Sequence, residues 1–525
     1  MPRSRRSQSS ATLHDARPPS PAAPPLAAAA PHSGSSSSAS PALPIEHCVG
    51  LSTTEGILAA READVEAYVA LGRLRSARSR GDPGVGPVDR VRSGDEVEKG
   101  SLSDKEELEV IGAGAGDDWT YPDGGWRAWG VVFGVWCLAA SQLGYGLLFG
   151  IFMENLESRL HQTPATLNFI QGLANLGANA FSFVAGRLGD RYGFKRCIGA
   201  GCCLSVVSLV GAALSYKSLP ALFVTQGVLL GISQGLGMSL FMAVPSQWFL
   251  KRRGLATGIA MSGSGIGGSI AALILRSTIK LGYRNALLIY TGCNVVAYVL
   301  GFALIEERHP PLKPGERRVP KNWLPKGVWR DGRFYSLMGS VFIGVWGYLT
   351  PFYFITSLVK QQCPELPPSG LIVAVPLIVG TAVSGVGRVF GGFVADRIGP
   401  INTLFLSFFL GAMTQLFLWP RMHSFGSIMA FACLYGWFGS WFVSLLAPSC
   451  AQLFGTKGLA TIVGFGILCN SPGVFMGGSV AGWTLDAAGG NYGTVGYYSG
   501  SMMLGGALAL LPARFMGRRE LWAKY

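Results

Sequence analysis

The sequence predicts an all-α integral membrane protein with twelve transmembrane helices in two pseudo-symmetric halves of six. Three observations lead there. Apolar runs of about 20 residues, the length that crosses a bilayer core, recur along most of the chain. Basic residues crowd into alternate connections between those runs. Landmarks of the first half return in order in the second.

The apolar runs come first. Of 525 residues, 49% are hydrophobic and only 14% charged, where soluble domains carry roughly 25% charged residues. From Ala128 onward, runs fall at 128–152, 164–186, 197–216, 219–243, 254–276, 285–305, 334–357, 369–393, 401–420, 425–447, 458–483 and 490–513. The lipid bilayer is therefore the first expected partner. Residues 1–118 differ in kind. Ser, Pro and Ala dominate 1–46, which predicts a disordered cytosolic tail. Prolines interrupt "PPLAAAAP" and argue against a cleaved signal peptide, while Arg3, Arg5 and Arg6 among serines leave a transit peptide as the alternative.

Charge placement gives topology. The net charge of +14 could suggest nucleic acid binding, but its distribution excludes that reading. Arg187, Arg191, Lys195 and Arg196 follow the second run, and Lys251, Arg252 and Arg253 follow the fourth. A basic linker, 306–333, follows the sixth, and Arg514, Arg518, Arg519 and Lys524 close the chain at a short tail, 515–525. The opposite connections hold one or two cations each. This positive-inside pattern places both termini in the cytosol. The plasma membrane is the first expectation, and a vacuolar or other internal membrane the second. Ten cysteines include no C-x-x-C pair, so no metal site and no cofactor are expected.

The repeat gives architecture. "GLAT" occurs at Gly254 and Gly458, and Asp190 of "GRLGDRYG" returns as Asp396 of "GGFVADRIG". A Pro-Ser pair ends the fourth run at Pro245 and the tenth at Pro448, and Trp136 of "VVFGVW" returns as Trp346 of "VFIGVW". Four landmarks at nearly one spacing imply an N-terminal half, 119–305, and a C-terminal half, 334–514. Two like halves can rock about a central site, so transport by alternating access is the leading function. An enzyme is not expected, because no catalytic constellation falls in the spans. A nutrient receptor on a transporter scaffold is the rival outside transport.

Within the spans, a few residues carry the chemistry. Arg388 lies eight positions before Asp396, roughly 12 Å into the bilayer. An ionised group there is expensive, and no Asp or Glu occurs in a span interior to pair with it. Its partner is either an anionic cargo or, in the plainer reading, a backbone carbonyl, the domain interface or the headgroups. Asn168, Gln171, Asn175 and Asn179 share one helical face, lining a water-filled path or joining helices. Tyr145, Tyr348, Tyr353 and Asn470 are further substrate-binding candidates, with Gln142 and Gln234 beside them. Gly186, Asp190, Arg191, Gly193, Arg196, Asp396 and Arg397 are the gating candidates. Asp190 either latches a neighbouring helix or simply caps one. "GSGIGG" at 263–268 fits a dinucleotide fingerprint by letter, but inside an apolar helix it reads as close helix packing. "YPDGGWRAW" at 121–129 sets a tight turn and two tryptophans at the membrane boundary.

Three of these stretches carry a resemblance. "GRLGDRYGFKR" resembles the signature loop of the major facilitator superfamily through Gly186, Asp190, Arg191, Gly193, Lys195 and Arg196. "PDGGWRAW" resembles the first-helix signature of the monocarboxylate porter family, with one additional residue between its tryptophans. "WFLKRRGLATGIAMSGSGIG" resembles that family's fifth-helix signature. The long Ser/Pro-rich tail is similar to that of fungal members. The resemblance implies the major facilitator fold, a small organic anion or related metabolite as cargo, and a carboxylate-binding role for Arg388. Protons, the usual coupling ion, lose their carrier here, because Ser384 and Leu147 stand where proton-coupled members have Asp and Lys. A larger secondary metabolite, exported, is the alternative cargo.

Overall fold

The computed structural model describes residues 121–147, 156, 160, 164–308, 324, 326–367 and 371–517. They all fall within one compact unit, Asp95–Tyr525. The tail 1–118, most of the linker 306–333 and most of the tail 515–525 lie outside the described residues.

Among the described residues, twelve membrane helices follow in chain order. α1 is Trp126–Gln142, continued by a 3-10 turn, Gly144–Leu147. α2 is Pro164–Tyr192, α3 is Phe194–Leu214, and α4 spans 219–243 with a π-helical stretch, Phe223–Leu229, inside it. α5 is Arg253–Thr278 and α6 is Tyr283–Leu304. In the second half, α7 runs as Gly332–Tyr348 and Thr350–Gln362. α8 is Leu371–Ile398 and α9 is Pro400–Met413 with a π stretch, Thr414–Leu418. α10 runs as Phe425–Gly439 and Phe442–Phe454, α11 is Leu459–Ala487, and α12 is Tyr492–Gly517.

Among the described residues, ten spans are long and apolar enough to cross a membrane by themselves. α2 and α12 are long enough but less apolar: amides dilute the first, and Gly, Ser and Tyr the second. Their polar content is tolerable because both are packed against other helices, α2 on α4 and α11, α12 on α7 and α9. One sequence expectation needs correction. Pro448 does not end the tenth helix but sits inside Phe442–Phe454. The break comes earlier, at Ser440–Trp441, and the proline falls in a freshly started segment. Proline interrupts one backbone hydrogen bond, which neighbouring helices and hydroxyls can offset within a membrane.

The halves meet along two helix pairs, α2 with α11 and α5 with α8. At the end bearing the basic loops, the second segment of α10 also reaches α5 and the end of α4. α5 is the central post, and its glycines face two ways. A β-carbon at Gly263 would overlap the carbonyl of Trp136 on α1, and one at Gly267 would overlap Ala140. On the other face, a β-carbon at Gly265 would lie 2.8 Å from the carbonyl oxygen of Thr381 on α8. The "GSGIGG" run thus lets three helices approach to backbone contact, as small residues do where lipid provides no hydrophobic drive.

Gly263→Leu should therefore cost at least roughly 1–3 kcal/mol by overpacking. A lower Tm of the purified protein is the expected result. An unchanged Tm would show that α1 and α5 are free to separate.

Candidate transport site and gate

Asp190 ends α2 as a buried carboxylate. Its Oδ2 accepts the backbone N–H of Thr461 at 2.9 Å and the Thr461 hydroxyl at 2.6 Å. Thr461 is the third residue of α11, where amide groups have no partner within the helix. In the opposite half, Asp396 ends α8, and its two oxygens accept the N–H groups of Gly254 (2.7 Å) and Leu255 (2.9 Å) in the first turn of α5. Each half therefore caps a helix of the other. A carboxylate on a helix start is favoured by hydrogen bonding and by the helix dipole together. Gly186 makes the approach possible, because a side chain there would collide with the Ala460 carbonyl.

The other gating candidates surround these clasps. Arg191 and Arg397 are exposed, each lying over an aromatic ring one to four residues away: Tyr192 at 5.2 Å and Phe393 at 4.2 Å. Arg196 is exposed. Gly193, with φ +103°, forms the turn into α3. There the Glu307 carboxylate lies against it and accepts the N–H of Lys195.

The Asp-Gly-Gly turn has a role that the boundary reading did not supply. Asp123, at φ 49°, accepts the N–H groups of Leu250 (2.6 Å) and Lys251 (2.8 Å) and donates its own to the Trp248 carbonyl. The turn pins the loop that starts α5. Trp126 is exposed, while Trp129 packs on Phe249 at 4.9 Å.

Arg388 is buried on α8 where α5 and α7 meet it. Its Nη1 donates to the Met261 carbonyl at 3.0 Å and to the Ser264 hydroxyl. Its Nη2 lies 3.4 Å from the Tyr348 hydroxyl, and its Nε has no partner. Among the described residues, no carboxylate pairs with it. Tyr348 is held in turn: its ring is edge-on to Phe442 at 4.6 Å, and its carbonyl accepts the Tyr435 hydroxyl at 2.6 Å.

The remaining candidates separate. Gln171 donates to the Asn175 side chain at 3.1 Å, and Asn179 donates to the Asn175 carbonyl at 2.8 Å. Gln171 and Asn175 face Gly146 beyond α1. The Asn168 side chain lies outside the described residues. Asn470 is buried on α11 with its Oδ1 unpaired, and the ring of Tyr353 lies half-exposed against Gly478. Tyr145 turns into the first half's own core, where Gln226 donates to its hydroxyl (2.9 Å) and to that of Tyr283 (2.6 Å). Gln142 and Gln234 are likewise tied within that half. The structure thus joins Tyr348 to Arg388 and groups Gln171, Asn175 and Asn179 of α2. Among the described residues, no hydrogen bond links the two groups. Ser264, Met261 and Tyr435 were missed from sequence, since none stands out within its run. Thr461 and Gly254 were signalled by the "GLAT" repeat, which marks the donors of both clasps.

A duplicated helical bundle, clasped at one end and holding a buried cation between its halves, is the architecture of a secondary membrane transporter. The chain belongs to the Major Facilitator Superfamily, whose pattern matches residues 131–420. It is 28% identical to the MFS transporter asaE of Aspergillus flavus over 75% of this chain and 88% of that one. It is 28% identical to the aspyridones efflux protein apdF of Emericella nidulans (78% and 82% covered). It is 27% identical to a fujikurins efflux protein of Gibberella fujikuroi (75% and 84% covered). Among solved structures, it resembles the human organic anion transporter MFSD10 with TM-score 0.56 and 16% identity, over 73% of this chain and 99% of that one. The E. coli fucose:proton symporter FucP follows at TM-score 0.55 and 15% identity, covering 74% and 98%. These two establish the fold.

Asp396→Asn should loosen the clasp by about 1 kcal/mol, roughly a fivefold shift towards opening at the basic end. Thr257, fully buried in α5 beside that clasp, gives the readout. Maleimide labelling of a Thr257→Cys background should quicken in the Asp396→Asn variant, and equal labelling rates would remove Asp396 from the gate.

Proposed function

We propose that this transporter exports an organic metabolite carrying an anionic group, larger than a simple monocarboxylate, by alternating access. The observation that carries the reading is Arg388: a buried guanidinium between the halves with no carboxylate among the described residues and an unpaired Nε. Protein groups hold Nη1, and Nη2 makes only a long 3.4 Å contact with the Tyr348 hydroxyl, so an Nε–Nη2 edge remains for a planar oxyanion to bind in bidentate fashion. Tyr348 stands at that edge. The amides Gln171, Asn175 and Asn179, together with Asn470 and Tyr353, supply hydrogen-bonding capacity for the rest of a larger molecule.

Two things favour export of such a molecule over uptake of a simple acid. Relatives at similar identity are named as efflux proteins for aspyridones and fujikurins. The described carboxylates, Asp123, Asp190, Glu306, Glu307, Asp331, Glu365, Asp396 and Asp486, lie at helix ends or in loops. The carrier that proton-coupled monocarboxylate porters have near this arginine is thus replaced by Ser384, whose hydroxyl donates to the Thr381 carbonyl. In this reading the basic loops and both termini are cytosolic, as the positive-inside rule requires, and the plasma membrane is the site of export. The domains are then a cytosolic tail, two six-helix halves and a basic cytosolic linker. The clasps of Asp190 and Asp396 close the cytosolic gate, and rocking of the halves exchanges that closure for an outer one.

Flux of a panel of labelled organic acids into inside-out vesicles tests the proposal. Arg388→Ala should abolish transport of the accepted acid at unchanged protein level, and Arg388→Lys should leave it reduced at least about tenfold, since an ammonium cannot form the bidentate pair. Transport by Arg388→Ala at the wild-type rate would sink the assignment.

A further inference from the structure

A cavity of about 560 Å³ opens at the basic end, between the α2–α3 turn and the end of α6. Arg191, Lys195 and Arg196 line it, with Tyr192, Phe302 and Glu307. Its one carboxylate is already engaged, because Glu307 sits at the start of α3 and accepts the Lys195 N–H. Among the described residues, none of the three cationic side chains pairs with a carboxylate. Two rest on aromatic faces instead: Arg191 over Tyr192 at 5.2 Å, and Lys195 over Phe302 at 5.0 Å. Three positive charges therefore face one open cavity that holds a single, hydrogen-bonded carboxylate.

Two independent features say what kind of anion fits. Phe302 belongs both to the cavity wall and to an apolar stripe on α6, where Val296 (69%), Val299 (66%) and Leu300 (44%) are exposed. α6 has the least buried of the ten spans, so this stripe faces acyl chains. The site is thus charged at one end and greasy along the other, as an amphiphile is. The pseudo-symmetric turn keeps one of the three cations, since Arg191 returns as Arg397, and lacks the other two. Offsetting Lys195 and Arg196 by the same 206 positions that relate Asp190 to Asp396 gives Ile401 and Asn402, and Asn402 is occupied by Arg514 at 2.6 Å. Lys195 and Arg196 are therefore not cations that the shared fold demands.

We propose that this cavity binds the phosphate of an anionic phospholipid, with its acyl chains laid along the exposed face of α6. Arg196 and Arg191 present planar forks suited to phosphate oxygens, and Lys195 adds a point charge. A free phosphorylated solute shares the headgroup chemistry but would make no use of the stripe.

The full-length protein, extracted from vesicles of equal phosphatidylserine and phosphatidylcholine, is examined by native mass spectrometry for retained lipid. Wild type should retain phosphatidylserine over phosphatidylcholine, and the triple variant Arg191→Gln, Lys195→Gln, Arg196→Gln should lose that preference, each charge being worth roughly fivefold. Arg196→Gln alone, at an exposed position, should weaken retention about fivefold, and serves if the triple variant does not fold. Val299→Asp should also reduce retention, and millimolar inorganic phosphate should not displace the lipid. Equal retention by the wild type and Arg196→Gln would overturn the site. Displacement by inorganic phosphate would overturn the lipid as its occupant. Arg388→Ala should bind lipid as wild type does, so this test is separate from that of the cargo.

Discussion

The structure depends on a reciprocal arrangement in which each half ends a helix on an aspartate that caps a helix of the other half. Asp190 serves the start of α11, and Asp396 serves the start of α5. Both carboxylates bond to groups that their own helices leave unsatisfied, so closure removes orphan donors from a poorly hydrated place. Each contact is worth about 1 kcal/mol, which biases an equilibrium without freezing it. The two clasps are not identical. Asp396 takes two backbone amides, whereas Asp190 takes one amide and a hydroxyl. The hydroxyl of Thr257, the counterpart of Thr461, is turned back onto the Arg253 carbonyl instead.

What the clasps hold together is a pair of smooth seams. Gly254 and Gly392 cross at backbone contact between α5 and α8, and Gly186 does the same against α11. Larger side chains would interlock, and each relative displacement would then require repacking. Backbone-close contacts between small residues allow tight association with little to disengage. The turn at Asp123 completes the assembly by fixing the loop from which α5 starts, so the helix end that receives Asp396 is itself anchored.

Against this frame Arg388 stands out as a tie of a different sort. Its guanidinium belongs to α8 but bonds to the Met261 carbonyl and the Ser264 hydroxyl on α5, so it bridges the halves through uncharged groups. Such partners leave the charge itself uncompensated, which is costly in a membrane interior and rarely retained without use. The plainer sequence reading, a backbone carbonyl as partner, describes one of its nitrogens. It does not describe Nε.

By itself the sequence determined the twelve-helix plan and the duplication. Hydropathy, charge alternation and repeat spacing are written along the chain and need no knowledge of neighbours. It also showed that the α5 glycines serve packing, since an apolar helix admits no strand–turn–helix phosphate loop. Which face each helix turns inward was decided only by the tertiary structure. Tyr145 and Tyr348 look alike as aromatic residues near helix ends, yet one closes a hydrogen-bond cluster with Gln226 inside the first half, and the other meets Arg388. In sequence Pro448 reads as a helix end, but the break at Ser440–Trp441 precedes it. The reason is that a helix's rotation about its axis and the place where it breaks are set by the helices packed around it, through contacts between residues more than a hundred positions apart.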